Sequence, residues 1–188
     1  MKTIGVISDT HGTLDVRAYN SLADCDVIIH AGDICGPEIL RELETLAPVH
    51  AVLGNNDYPE YGDDVQRYAK FEIDGISFLV AHRPNSVDVK KLGSVLGPGE
   101  KIPKVRIHGH THVPRLVTGP KASPSELLMN PGSLKRPRSE HGCTLGKIKV
   151  NDGKIVRVWI EKLDGDVVFE RKFNTASKLK SFIKKALK

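Results

Sequence analysis

Aromatic residues make up only 5% of this 188-residue chain, with two methionines and one tryptophan. Cysteine is scarce as well, at Cys25, Cys35 and Cys143. An odd number of cysteines with no C-x-x-C spacing supplies neither a disulfide framework nor a thiolate zinc cluster, and points to a reducing compartment. Long apolar runs are missing. The run at the start, Met1 to Ile7, stops at Ser8-Asp9 and is too short for a signal-peptide core. Nothing elsewhere approaches the roughly 18 apolar residues that a membrane helix needs. These absences predict a soluble, cytoplasmic protein with no membrane partner.

An excess of one charge is lacking over most of the chain, although the total is +5. Residues 1–161 carry 20 Lys+Arg against 20 Asp+Glu, and residues 162–188 carry 8 against 3. The excess therefore sits in the tail, which makes nucleic acid the less favoured partner. With 39% hydrophobic and 27% charged residues the composition is that of an ordinary globular protein, and the length suits one domain with its own core. We expect a single domain over 1–188: a core over about 1–160, then a terminal strand and a basic amphipathic helix over 161–188. In that helix Leu179, Phe182, Ile183, Ala186 and Leu187 form one stripe and lysines the other face. Such a stripe packs on the domain or on a second copy, so a homo-oligomer stays open.

The first half alternates short apolar strands with amphipathic segments. Ile4 to Ile7, Val27 to Ile29 and Val49 to Leu53 read as strands buried on both faces. Helices are expected over 13–22 and, behind Pro37, over 37–46. The rhythm is that of βαβ units and an α/β fold. The second half changes character: Tyr68 to Ile73 and Ile76 to Ala81 around Asp74-Gly75 read as an antiparallel hairpin, and Val105 to Ile107, Leu127 to Met129, Thr144 to Val150, Lys154 to Ile160 and Val167 to Phe173 as further strands. Stretches 93–104 and 119–125 read as surface loops. Trp159 is expected in the core, His30 and His108 as strand-end structural residues, and His50 and His141 as plain surface or loop residues.

The chemistry lies where the strands end. The first ends in Asp9-Thr10-His11-Gly12, the second in His30-Ala31-Gly32-Asp33, the third in Gly54-Asn55-Asn56-Asp57. The hairpin ends in Ala81-His82-Arg83, and a later strand in His108-Gly109-His110-Thr111-His112. Ligands of open α/β sheets bind beyond strand carboxyl ends, so these five ends can share one site. Asp9, His11, Asp33, Asn55, His82, His110 and His112 offer hard oxygens and imidazoles without a thiolate, a donor set suited to Mn, Fe, Ni, Co or Zn. Seven donors exceed what one tetrahedral zinc takes and suit two metals sharing a carboxylate.

In order and spacing, Asp9-x-His11, Gly32-Asp33, Gly54-Asn55-x-Asp57, His82 and Gly109-His110-Thr111-His112 resemble the calcineurin-like metallophosphoesterases, closest to their small single-domain bacterial and archaeal phosphodiesterases. The resemblance spans about residues 1 to 160. It implies a four-layer αββα sandwich of two mixed β-sheets flanked by helices, with two divalent transition metals, Mn foremost. One metal would take Asp9, His11, Asp33 and His112, the other Asp33, Asn55, His82 and His110. Asp33 and an attacking hydroxide would bridge them in the hydrolysis of a phosphodiester, the partner being a small phosphate ester. Asn130-Pro131-Gly132-Ser133 also resembles a motif of this subgroup, in a loop near the site. Asp57 would orient a site residue.

Two positions depart from the pattern. Asn56 stands where the family usually carries His or Cys, and it can donate a hydrogen bond but not act as a general acid. Arg83 replaces a small residue after His82 and could bind a phosphate bidentately. Both fall where substrate choice is made. A phosphomonoesterase or nucleotidase therefore stays open beside the diesterase, as does a non-catalytic protein-interaction scaffold of the same fold. Lys135, Arg136 and Arg138 form either a basic rim for anionic substrate or a solvated loop.

Overall fold

The structure is a computed structural model and describes residues 1–58 and 61–173. In chain order the elements are β1 (Lys2–Ile7), α1 (Val16–Leu22), β2 (Val27–His30), α2 (Pro37–Glu44), β3 (Val49–Ala51), β4 (Tyr68–Ile73) and β5 (Ile76–Ala81). They continue with β6 (Val105–Ile107), β7 (Arg115–Thr118), β8 (Leu127–Asn130), β9 (Thr144–Asn151), β10 (Lys154–Lys162) and β11 (Val167–Lys172). Two mixed sheets result, ordered β11-β10-β9-β1-β2-β3 and β4-β5-β6-β8-β7. Within them β1, β2 and β3 run parallel, as do β5, β6 and β8.

Period-two alternation sorts the side chains into layers. Ile4 and Val6 of β1, Val27 and Ile29 of β2, and Phe78 and Val80 of β5 fill the space between the sheets. Ile7 and Ile28 face outward, under Ala18 and Leu22 of α1 and Ile39, Leu40 and Leu43 of α2. The outer face of the second sheet is covered by two 3₁₀ turns, Pro84–Val87 and Val89–Ser94, over Leu79 and Ala81. The αββα layering is thus present, with short turns as its fourth layer. Gly5 permits the close approach of α1, since a Cβ there would lie 2.4 Å from Leu22 Cδ2.

The parallel registers bring the strand ends level. Ile7 pairs with His30 and His30 with Ala51, while Val80 pairs with Ile107 and Ile107 with Met129. All these carboxyl ends therefore open on one edge of the sandwich, where the loops carrying the candidate ligands meet.

Most expected elements form close to their expected bounds. The first helix starts at Val16 because Asp15 caps it, accepting from the Arg17 amide at 2.9 Å. The third strand's ladder stops at Ala51, and Val52 makes a single bridge to Gln66. Strand β7 was not expected: it is four residues long, on a sheet edge, between Pro114 and a Gly119-Pro120 turn that read as loop. His50 is a correction. It sits half-buried in β3, stacked on Phe71 with ring centroids 4.0 Å apart, rather than on a plain surface or loop. Trp159 is buried in β10 as expected, its Nε1 donating to Glu161 Oε2 at 2.7 Å. The expected terminal helix lies outside the described residues.

Candidate metal centre

Asp9, His11, Asp33 and His112, drawn from three strand ends in two sheets, present ligand atoms that all lie within 4.8 Å of one another. His82 joins them, its Nε2 3.4 Å from Asp33 Oδ2 and 4.0 Å from Asp9 Oδ1. His110 packs edge-on against His82 at 5.1 Å between centroids. Asn55 is exposed and lines a narrow cleft together with His82 and Arg83. The structure thus brings the seven sequence-derived candidates to one edge, with Asp33 central.

The chain accepts local strain to do this. Asp9, His11, Asp33, His110 and His112 all have positive φ, between 46° and 68°. This left-handed region disfavours L-residues by roughly 1–2 kcal/mol each, and Asp and His enter it more readily than most. Strain of this kind gathers at functional sites because the surroundings hold it in place. The restraints are visible. The amides of Asp9, His11 and Gly12 donate to the carbonyls of Gly32, Asp33 and Ile34, lacing the β1 and β2 loops together. Gly54 brings the third loop against Asp33: a Cβ there would lie 2.1 Å from Asp33 Oδ1 and 2.2 Å from its backbone nitrogen.

Hydrogen bonds decide which atoms face the site. His82 Nδ1 is 2.8 Å from the Ala31 carbonyl and His112 Nδ1 is 2.5 Å from that of Arg136. A carbonyl only accepts, so each ring donates from Nδ1, and its neutral form turns the Nε2 lone pair inward. Asp9 Oδ2 accepts from Ser8 Oγ at 2.6 Å and from the His110 amide at 3.1 Å, which leaves Oδ1. Asp9 Oδ1, His11 Nε2 and His82 Nε2 are buried polar atoms without a hydrogen-bond partner among the described residues. Although His112 Nε2 is 3.0 Å from Asp9 Oδ1, the pair lacks hydrogen-bond geometry. Orphaned oxygens and lone-pair nitrogens converging on one point fit a bound cation, which would satisfy all of them.

The electrostatics agree. Burial raises the Asp9 carboxyl above its ordinary range, against the opposing pull of Ser8, His82 and His112. Burial likewise lowers His11 and His110, so both rings are neutral near pH 7 and free to ligate. Asp33 also feels burial, but contact with His82 and two bonds from Asn56 outweigh it and hold the carboxyl well below its usual range. Those bonds run from the Asn56 amide to Oδ1 at 2.9 Å and from Nδ2 to Oδ2 at 2.7 Å. Burial lowers His82 too, and here Asp33 and Asp9 outweigh it and raise the ring.

Asp57 does not reach this cluster. Its carboxylate accepts from the amides of Ile34 (3.2 Å), Cys35 (2.8 Å) and Gly54 (2.7 Å) and from Tyr61 Oη (2.9 Å). It ties the third loop to the second. Arg83 is exposed at the cleft mouth, and its charge reaches His110. Arg136 is near enough to His11 to help lower it, which favours the basic-rim reading of its loop.

Several residues that matter were missed or undervalued. Asn130 is fully buried, donating Nδ2 to the Gly109 carbonyl and to Thr111 Oγ1, while Ser133 Oγ donates to the Asp9 carbonyl. The Asn-Pro-Gly-Ser turn thus clamps two ligand loops. His30 Nε2 is 2.9 Å from Thr10 Oγ1, whose own proton goes to the Ile34 carbonyl at 3.0 Å, so His30 is the donor. Arg67, exposed beyond β3, lines the cleft beside Asn55 and a wider cavity of about 520 Å³ next to it. No motif marks Arg67 in the sequence.

Residues 1–153 match the family model described as a calcineurin-like phosphoesterase superfamily domain. A probable metallophosphoesterase of Methanothermobacter thermautotrophicus is 34% identical over 175 residues, covering 88% of this chain and 91% of the relative. The solved structure of an archaeal phosphodiesterase superposes with a TM-score of 0.60 at 24% identity, over 84% of this chain and 99% of that one. Wild-type Vps29 from Entamoeba histolytica, solved complexed with zinc, superposes at 0.70 with 21% identity, over 92% and 99%. At such identities the two structures speak for the fold alone.

Two predictions follow from the geometry of the loops. Gly54→Ala displaces the Asp33 carboxylate and is expected to weaken Mn²⁺ binding by roughly 10–100-fold in calorimetry, with far-UV circular dichroism unchanged. His30, pushed down by burial to about 4, stays neutral in the fold while the unfolded chain protonates it near 6.5. The unfolded state thus binds the extra proton, so stability falls as pH falls from 6.5 towards 4, by up to about 1.4 kcal/mol per pH unit. Urea titrations in chelator should show this slope in the wild type and a shallower one in His30→Gln.

Proposed function

The chain belongs to the calcineurin-like phosphoesterase superfamily and is a hydrolase of phosphate esters, and from that premise we propose that it cleaves phosphodiesters with two divalent transition metals held side by side. The observation that carries this reading is the position of Asp33. Its Oδ2 lies 4.0 Å from His11 Nε2 and 3.4 Å from His82 Nε2, and both nitrogens lack hydrogen-bond partners among the described residues. A carboxylate so placed suits the bridge of a dinuclear centre. Asp9, His11, Asp33 and His112 would hold one ion, and Asp33, Asn55, His82 and His110 the other, with Mn first among Mn, Ni, Fe, Zn and Co. When bound, such a pair supplies Lewis-acid neutralisation of phosphoryl oxygens and acidifies a water molecule.

The chain's own residues prepare that chemistry. The carbonyls of Ala31 and Arg136 fix the tautomers of His82 and His112, so the ligand nitrogens are preset. Asn56 orients Asp33 through two hydrogen bonds and, lacking a titrating proton, leaves the departing oxygen to solvent. Asp57 acts as a positioning residue. Arg83 and Arg67, at the mouth of the cleft, are the groups that draw in and orient an anionic ester, Arg83 as a bidentate donor.

Metal-loaded protein assayed on bis(p-nitrophenyl) phosphate and p-nitrophenyl phosphate tests this directly. We expect Mn²⁺-dependent cleavage of the diester, lost by a factor of at least about 10² in Asp33→Ala and in His82→Ala. Asn56→His should speed a diester with a poor alkoxide leaving group far more than the nitrophenyl one. Cleavage of the monoester alone would overturn the diester assignment, and equal rates in wild type and Asp33→Ala would overturn the metal mechanism.

A further inference from the structure

On the outer face of the second sheet lies a cavity of about 300 Å³ that none of the seven site residues lines, although it reaches Pro84, just after His82, and His108, just before His110. Its size is at the lower end of small-molecule sites. Arg106 of β6 forms its floor and is only 4% exposed. A buried guanidinium ordinarily has a carboxylate partner. Here all three bonds go to neutral acceptors: Nε to Ser125 Oγ (2.8 Å), Nη1 to the Val87 carbonyl (2.6 Å) and Nη2 to the Ala122 carbonyl (2.8 Å). A guanidinium has five N–H groups, so one on each terminal nitrogen is left for another acceptor.

The rim adds charge of the same sign. Arg115 and Lys121 line the cavity, both are exposed, and neither forms an ion pair among the described residues. Asp88 is the one acidic residue of the lining, and its Oδ1 is engaged in capping the next turn through the Lys90 amide at 3.0 Å. Three cations thus face one occupied carboxylate around a hole of ligand size. Arg106 itself bonds the carbonyls of Val87, which lines the cavity, and of Ala122, which lies between the lining residues Lys121 and Ser123, so the cavity is built around its charge.

We propose that this cavity binds a phosphoryl anion, either free phosphate or the phosphate of a small monoester, with Arg106 as the buried anchor and Arg115 and Lys121 closing on it from the rim. Arginine's remaining donors match two oxygens of one phosphate, and the anion balances the positive charge that Asp88, whose carboxylate also acts on Arg106, leaves in excess. The inference rests on the cavity's charge and does not depend on the phosphodiesterase reading.

The test is a titration of the ¹⁵N-labelled full chain, zinc-loaded, with inorganic phosphate and separately with AMP at constant ionic strength. Saturable shifts are expected at the amides of Val87, Asp88, Ala122 and Ser123. They should weaken by about tenfold or more in Arg115→Ala/Lys121→Ala, whose changes are on the surface. Arg106→Lys, which keeps the charge but loses the fork, should weaken them as well. In both variants, shifts at the metal-ligand loops should persist as in the wild type. Tighter binding of phosphate than of AMP identifies the free anion, and the reverse order the ester. Shifts confined to the ligand loops, or equal affinities in wild type and double variant, would overturn the proposal and leave Arg106 as a structural staple, with the hydrolytic reading untouched.

Discussion

The site depends on one carboxylate held in one place. Asp33 stands just past β2 with its backbone in the left-handed region, and its Oδ2 is the atom that the imidazoles following β1 and β5 both approach. Much of the surrounding structure fixes that atom. The β1 loop is laced to the Asp33 carbonyl, Asn56 holds both carboxylate oxygens, and Gly54 makes room for them. Asp57 in turn draws the third loop and the two residues after Asp33 onto one side chain. The two-sheet sandwich is what lets β2 and β5, from different sheets, end within reach of each other.

Unpaired polar atoms are usually a defect in a folded protein, since burial without a partner costs about 1–3 kcal/mol or more. Here they are concentrated at Asp9, His11 and His82. Their neighbours are satisfied with care: Asp9 Oδ2 has two donors, and the far nitrogens of His82 and His112 have carbonyls. The contrast between saturated outer atoms and empty inner ones is the chemical signature of a cation site. It also separates this centre from the Arg106 cavity, where Arg106, Arg115 and Lys121 outnumber the single carboxylate of Asp88 and call for an anion.

The site was legible in the sequence because the chemistry there restricts residue type. Asp, Asn and His at five strand ends, four of them with a neighbouring glycine, can be read without coordinates, and the structure brings all five ends together. What stayed hidden depends on the third dimension. Arg67 carries no motif and gains meaning only because the bend after β3 turns it towards Asn55. Asn130 and Ser133 stand out as part of a motif near the site, but their roles appear only as bonds to loops some 20 and 124 residues away. Strand β7 is set by its neighbour β8 in the sheet, and the stacking of His50 in β3 on Phe71 in β4 by contact between the two sheets, rather than by local pattern. The net charge misled in the opposite way: the tail dominates the count, while the cations that bear on chemistry are single arginines at the cleft and in the cavity.

Anomalous diffraction at the manganese edge from crystals grown with Mn²⁺ tests the central claim most directly. The account predicts two peaks roughly 3.5–4 Å apart with the Asp33 carboxylate between them. One should lie against Asp9, His11 and His112 and the other against Asn55, His82 and His110. A single peak, or none within ligand distance of Asp33, would contradict it.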